Sequence, residues 1–237
     1  MMELAPSGRL RIGVAYAPSA TPLFVVRDAT GAPHGVTVDL GRALAQRLGV
    51  AAEFVVAPNT NELTEAIAIG AIDVTFMPVD EERKKYVDFG PAYFIIEATY
   101  LVGPASPIRS IADVDRPDVT IVGVANSTTI RGAARVTKTA RIVGAKSIDE
   151  AMSMMRAGAA QAFALTHDSL PPLQKALPGS RILDGAFHTT GVAVAVAKNR
   201  PAALAYVSTF LDEAKTNGTA RRALDDAGLK NLPVAPN

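Results

Sequence analysis

The 237-residue chain contains no cysteine and no tryptophan, and aromatic residues make up only 5% of it. The missing thiols exclude disulfides, thiolate nucleophiles and thiolate metal sites together; an oxidising compartment would be safe for such a chain. With so few rings, the stacking platform of a single-strand nucleic-acid binder is lacking. Charge of one sign is lacking too. The 24 Lys and Arg stand against 23 Asp and Glu, for a net charge of +1, so there is no electrostatic footprint for nucleic acid. No apolar run reaches the roughly 18 residues that span a bilayer. The opening Met-Met-Glu-Leu-Ala-Pro has no basic stretch followed by an apolar one. That fits a cytoplasmic protein or one whose leader has been replaced, and the doubled Met points to the latter.

What is present is enough apolar residue, 49%, to bury a sizeable core, which excludes disorder. The length fits one large domain or two lobes of roughly 100–120 residues. Two periodicities alternate along it. Arg9–Ala15 reads as a strand, and Gly35–Asp39 leads into a helix carried by Leu40, Ala43, Leu44 and Leu48, stopped by Gly49. Strand Val50–Val56, helix Asn61–Ile69 with Asn61 as its cap, and strand Ile72–Met77 follow. The charged run around Asp80–Tyr86 breaks the rhythm, and a second set begins at Val119–Val124. A helix from Thr128, strand Arg141–Val143, helix Ile148–Ala157 and strand Gln161–Leu165 complete it. Ala66–Val74 is echoed by Met152–Ala162, with Gly158 placed as Gly70 is. Strand Gly191–Ala197 and helices Ala202–Lys215 and Thr219–Ala227 close the chain. The pattern predicts α/β lobes, each a mostly parallel sheet flanked by helices; one doubly wound sheet is the simpler alternative.

Several stretches resemble the family 3 (amino-acid type) solute-binding proteins of ABC transporters. They are Leu10–Gly13, Gly35–Gly49, Ile69–Asp73, the run Glu82-Arg83 … Asp88-Phe89-Gly-Pro91-Ala-Tyr93, Val122–Thr129, and Ala197-Lys198 with Thr216–Thr219. They cover nearly the whole chain in order, and the Glu-Arg … Asp-Phe … Pro-x-Tyr run is the most specific. The resemblance implies the two-lobed type II periplasmic-binding fold. Lobe 1 would comprise 1–98 and 193–237, lobe 2 would comprise 99–192, and a hinge would lie near Glu97–Val102 and Gly191. It also implies a periplasmic receptor that delivers a small carboxylate to the membrane permease of an importer, acting as a monomer without a cofactor.

Arg83 matches the arginine that grips the ligand carboxylate in that family. The chemistry stands by itself, since a planar fork of donors fits a carboxylate. A solvated arginine in a charge run is the plain alternative, and Lys84 and Lys85 keep that reading. Asn126, Ser127 and Thr128 sit at a strand-to-helix junction, where free N–H groups and the helix dipole seat an anion. The same residues also suit an ordinary N-cap. Family members usually carry Gly where Ser127 stands.

Thr166 falls where amino-acid binders place an Asp for the α-ammonium, unless a one-residue bulge brings Asp168 there. Pro78 replaces a serine that helps hold the ammonium, although its carbonyl remains available. Thr75 and Met77, on the strand leading to it, join the candidate pocket. The family's aromatic clamps align with Thr21 and Thr60, which makes a small, polar pocket; Tyr16 restores a clamp if the loop Ala17–Leu23 folds back. The sequence therefore favours a carboxylate lacking an α-amine, with an ordinary polar amino acid as the alternative. A buried ammonium without a counter-charge is costly.

His34, His167 and His188 are scattered, and no Asp/Glu cluster has ligand spacing, so no metal is expected. His167 lines the cleft or stands as a surface residue at a strand end. Gly-x-Gly-x-x-Gly is absent after both first strands. A rival from another class is an enzyme resembling cyclohexadienyl dehydratases, for which only Asp168 and His167 offer an acid. A sensor domain of a membrane receptor kinase is the third reading.

Overall fold

A computed structural model describes residues 3–16, 21–104, 106–230 and 232–236. The chain begins with strand β1 (Arg9–Ala15) and the short β2 (Val26–Arg27) and β3 (Pro33–His34), which pair with each other. Helix α1 (Val36–Leu48), β4 (Ala51–Ala57), α2 (Thr60–Ala68), β5 (Val74–Pro78) and the long β6 (Val87–Val102) follow. Then come β7 (Thr120–Val124), α3 (Thr128–Val136), β8 (Arg141–Ala145), α4 (Ile148–Arg156), β9 (Ala162–Thr166) and α5 (Leu170–Ala176). The series ends with β10 (Arg181–Ile182), β11 (His188–Ala197), α6 (Pro201–Thr216) and α7 (Thr219–Asp226). The chain divides into two units, Met1–Ile95 with Gly191–Asn237, and Ile96–Thr190. β6 and β11 carry it from one to the other.

In the first unit the strand order is β4-β1-β5-β11. β1 is parallel to both β4 and β5, whereas β11 runs antiparallel to β5. Every residue of β5 is buried, the pattern of a strand covered on both faces. In the second unit β7 lies parallel to β8 and β9, with β6 antiparallel to β9 and β10 at the far side of β6. Side chains alternate across this sheet. Leu101, Phe163 and Leu165 join Met152 and Met155 in one core. Tyr100, Val102, Ala162 and Ala164 join Ile108 and Ile121 in the other.

The internal echo is a shared device. Gly70 and Gly158 both take φ near +70° and end their helices, a left-handed geometry that glycine adopts without a Cβ penalty. Three residues on, Asp73 and Gln161 each make two backbone-directed ties, Asp73 to β1 and Gln161 to β7. The Asp73 amide donates to the Arg11 carbonyl (2.8 Å), and its carboxylate accepts from the Arg11 amide (2.9 Å). The Gln161 amide donates to Thr120 (2.9 Å), and its side-chain oxygen accepts from the Thr120 amide (2.8 Å). Arg11 adds a fork, with its Nε and Nη2 on Asp73 at 3.0 and 2.6 Å.

One local expectation is corrected, and three elements are absent from the sequence pattern or longer than it predicts. Asn59, not Asn61, caps α2, its side chain accepting from the amides of Asn61 and Glu62. β6 extends for 16 residues through Gly90 and Pro91, a stretch where the sequence pattern predicts no strand. α5, absent from the sequence reading, starts with Pro171 and Pro172 in its first turn, where a missing N–H costs nothing. Helix α1 also begins earlier than its apolar stripe, with Val36 and Val38 fully buried.

Asp73→Ala is expected to lower the stability of the chain by about 2 kcal/mol, the value of charge-assisted bonds lost from a largely buried carboxylate; urea denaturation checks this. Asp115 accepts from the amides of Lys138, Thr139 and Ala140 at 2.7–3.0 Å. These bonds hold its carboxyl well below the usual carboxylate range. Stability from a depressed acid is complete above the unfolded value, near 4, and is lost as pH falls below it. The urea midpoint should therefore drop on acidification below about pH 4, and less steeply in Asp115→Asn.

Candidate functional site

In the first unit the segment after β5 sorts its charges by geometry. A 3₁₀ turn, Arg83–Lys85, turns Arg83 inward to 4% exposure and leaves Lys84 and Lys85 outside. The two lysines pair with Glu81 and Glu82 at 2.7 and 2.6 Å, ordinary surface pairs. Arg83 Nη1 donates to the Pro78 carbonyl at 2.9 Å, and Nη2 donates to Thr60 Oγ1 at 2.5 Å. One acceptor ends β5 and the other opens α2. The carbonyl that sequence reading left open for an ammonium thus already serves the guanidinium. Asp88 of the same run is structural, since it accepts from Lys198 and from the Asn199 amide.

Arg83 is as buried as a core residue. Thr75 and Met77 are fully buried. The Thr75 hydroxyl donates to the Gly13 carbonyl (2.9 Å), and Met77 Sδ accepts from Thr64 (3.6 Å). Both side chains serve the sheet and α2 rather than a surface. Tyr16 is half-buried, with its amide on the Ala57 carbonyl. The proposed fold-back of its loop involves residues 17–20, which lie outside the described residues. Thr21 is half-buried and its hydroxyl accepts from the Leu23 amide.

In the second unit Asn126 turns the chain from β7 into α3. Its φ of 59° is a left-handed value that Asn tolerates better than most residues, and Arg131 donates to its carbonyl (2.8 Å). Ser127 is the N-cap, accepting from the Ile130 amide at 3.2 Å and sharing a hydrogen bond with Thr129 Oγ1. Gly123 lets this turn sit close, because a Cβ there would lie 2.6 Å from Ile130 Cδ1. Thr128 and Thr129 are buried. Both the cap and the helix start expected from sequence are present.

Thr166 ends β9 in unbroken register with Ala98 on β6, so no bulge shifts the strand. Its buried hydroxyl donates to Ser169 at 2.9 Å. Asp168 stands in the 3₁₀ turn that follows. Its side chain reaches solvent, yet protein crowds it enough that loss of hydration raises its carboxyl above the usual range. The neighbouring Thr166 hydroxyl and the charge of His167 pull the other way. A carboxylate is therefore held beside the Thr166 hydroxyl without any bulge. His167 and His34 are exposed, and His188 is half-buried beneath Gly132. Among the described residues no cluster of His, Asp or Glu could hold a metal.

Residues 12–227 match the model of the bacterial extracellular solute-binding proteins, family 3. The chain belongs to that family. This family 3 protein is 27% identical over 205 residues to a glutamine-binding protein of Geobacillus stearothermophilus, covering 83% of this chain and 75% of the relative. It is similar to the crystal structure of AncCDT-1, an ancestral amino acid-binding protein described as a precursor of cyclohexadienyl dehydratase. That match has a TM-score of 0.75 at 28% identity, covering 94% of this chain and 97% of the other. A solute receptor for L-cysteine of Neisseria gonorrhoeae shares the fold, with a TM-score of 0.81 over 99% of this chain and 98% of that one at 21% identity. The two-lobed periplasmic-binding fold is thereby established, and the class is a binding protein. Among the described residues no helix is long and apolar enough to cross a membrane.

The burial of Arg83 in this family 3 protein gives it a cost when removed in the absence of any solute. Arg83→Ala leaves the Thr60 hydroxyl and the Pro78 carbonyl without a charged donor, and should destabilise the free protein by about 1.5–3 kcal/mol. Urea denaturation without solute measures it.

Proposed function

We propose that this protein is the periplasmic receptor of an ABC importer and captures a small polar α-amino acid by its two charged ends. Arg83 takes the carboxylate, with the amides at the start of α3, around Asn126, Ser127 and Thr128, as its second set of donors. Asp168 takes the ammonium, and Thr166 orients it. The observation that carries this reading is Arg83, a buried guanidinium whose plane is set from two elements. Such a fork binds a carboxylate with both charge and shape. Support for the ammonium half comes from Asp168. An under-hydrated carboxylate gains most from a cation that arrives with the ligand. The amino-acid binders among the relatives point the same way. Thr21, standing where the family has an aromatic clamp, leaves the side-chain end small and polar.

The lobes of the proposal are 1–98 with 193–237, and 99–192, hinged where β6 and β11 pass between the units. A solute that contacts both lobes binds the closed form better and shifts the open–closed equilibrium towards it. A membrane permease would then accept the loaded form.

The second reading, a hydroxy or keto acid without an α-amine, rests on Thr166 at the strand end and on Pro78 in place of a serine. A thermal-shift panel of the standard L-amino acids against glycolate, L-lactate and pyruvate separates the two. A solute present at 100 times its Kd adds about 2.7 kcal/mol of stability. The expected result is a shift with an L-amino acid, lost in Asp168→Asn, and an affinity lowered by about 2–5 kcal/mol in Arg83→Ala. A shift with an amine-free acid alone, unchanged in Asp168→Asn, overturns the amino-acid reading. Turnover of prephenate would move the protein to the dehydratase class.

A further inference from the structure

The Thr60–Arg83 bond assigns Thr60 a role that neither the sequence nor the family predicts. We infer that Thr60 is a positioning residue, one that fixes the guanidinium of Arg83 in the attitude that receives a carboxylate before any solute arrives. This rests on the reading of Arg83 as the carboxylate anchor.

The argument begins with rigidity. Thr60 is the first residue of α2, set directly after the Asn59 cap. Its carbonyl accepts from Thr64 Oγ1 at 2.9 Å, and the same hydroxyl reaches Met77 Sδ on β5. Thr60 is 8% exposed and β-branched, so its side chain has few rotamers to choose from. Its Oγ1 is therefore a fixed acceptor. The Pro78 carbonyl is another, because it ends a fully buried strand paired with Val192 and its residue has a locked φ. A guanidinium is planar, and one acceptor on each terminal nitrogen fixes both its location and its tilt. With Nη2 released from Thr60, the plane loses one of the fixed acceptors that set its tilt. A carboxylate would then have to order the fork as it bound, and that ordering lowers affinity. An aromatic ring at this position, as the family resemblance expects, could not hold Nη2 in this way.

The test uses the full chain and the tightest-binding member of a fixed set of probes, L-glutamine, L-arginine, L-cysteine and L-lactate, by titration calorimetry. Thr60→Val keeps the shape and removes the acceptor; it should weaken binding about 10- to 100-fold. Thr60→Ser restores the acceptor and should bind within about threefold of the natural chain. In an Arg83→Lys background, Thr60→Val should change affinity by less than about twofold, because no fork remains to be set. Full affinity in Thr60→Val, even with a lowered Tm, makes the contact structural only and overturns the inference. So does an equal loss in both backgrounds, which places Thr60 on the solute itself. Unchanged affinity in Arg83→Lys overturns the anchor reading instead. Binding of none of the four probes overturns the anchor reading and the inference together.

Discussion

A guanidinium withdrawn from water must be met by acceptors wherever its N–H groups point, and this requirement organises the first unit around Arg83. A charged donor buried without acceptors would cost several kcal/mol. The strand that ends at Pro78, the helix that starts at Thr60 and the 3₁₀ turn that swings Arg83 inward therefore have to arrive together. β5 can deliver its last carbonyl because it is flanked by β1 and β11 and latched at its start by Asp73. α2 can deliver a hydroxyl because Asn59 fixes where the helix begins. The geometry around Arg83 is thus a consequence of sheet register and helix capping.

The second unit reaches its own polar site by related means and with different chemistry. Ser127 caps α3 as Asn59 caps α2, and Gln161 latches its strand as Asp73 does. The first unit uses a charged latch with an added arginine fork, and the second uses a neutral amide. At the end of β9 stand a threonine and, in the turn that follows, an aspartate. The Thr166 hydroxyl is bonded to Ser169, and the Asp168 carboxylate stands in the 3₁₀ turn that follows.

Legibility in the sequence followed how local each determinant is. The strand–helix alternation could be read because burial of one face imposes a period of two or about 3.6 on the residues themselves. Gly70 and Gly158 could be read because a left-handed helix end selects glycine. β6 could not, since a strand of this length is fixed by its neighbours β11 and β9 rather than by its own residues. The shift of the cap from Asn61 to Asn59 was equally invisible, because either side chain can cap and only the register of α2 chooses between them.

Arg83 shows the same division within one side chain. Its residue type and its place in the Glu-Arg … Asp-Phe run pointed to a carboxylate, while its inward turn set it apart from Lys84 and Lys85 only in the fold. Thr60 and Pro78 lie 23 and 5 residues away from it along the chain, and nothing in either residue announces the bond. The sequence by itself determined the class of fold, the repeat and the residue types able to meet a carboxylate, because these follow from periodicity and from side-chain chemistry. Only the tertiary structure decided that Thr75 and Met77 belong to the core, that Thr60 faces Arg83 and that Asp168 stands beside Thr166. Hydrogen-bond partners are chosen by the three-dimensional approach of separate elements, and no local pattern encodes that approach.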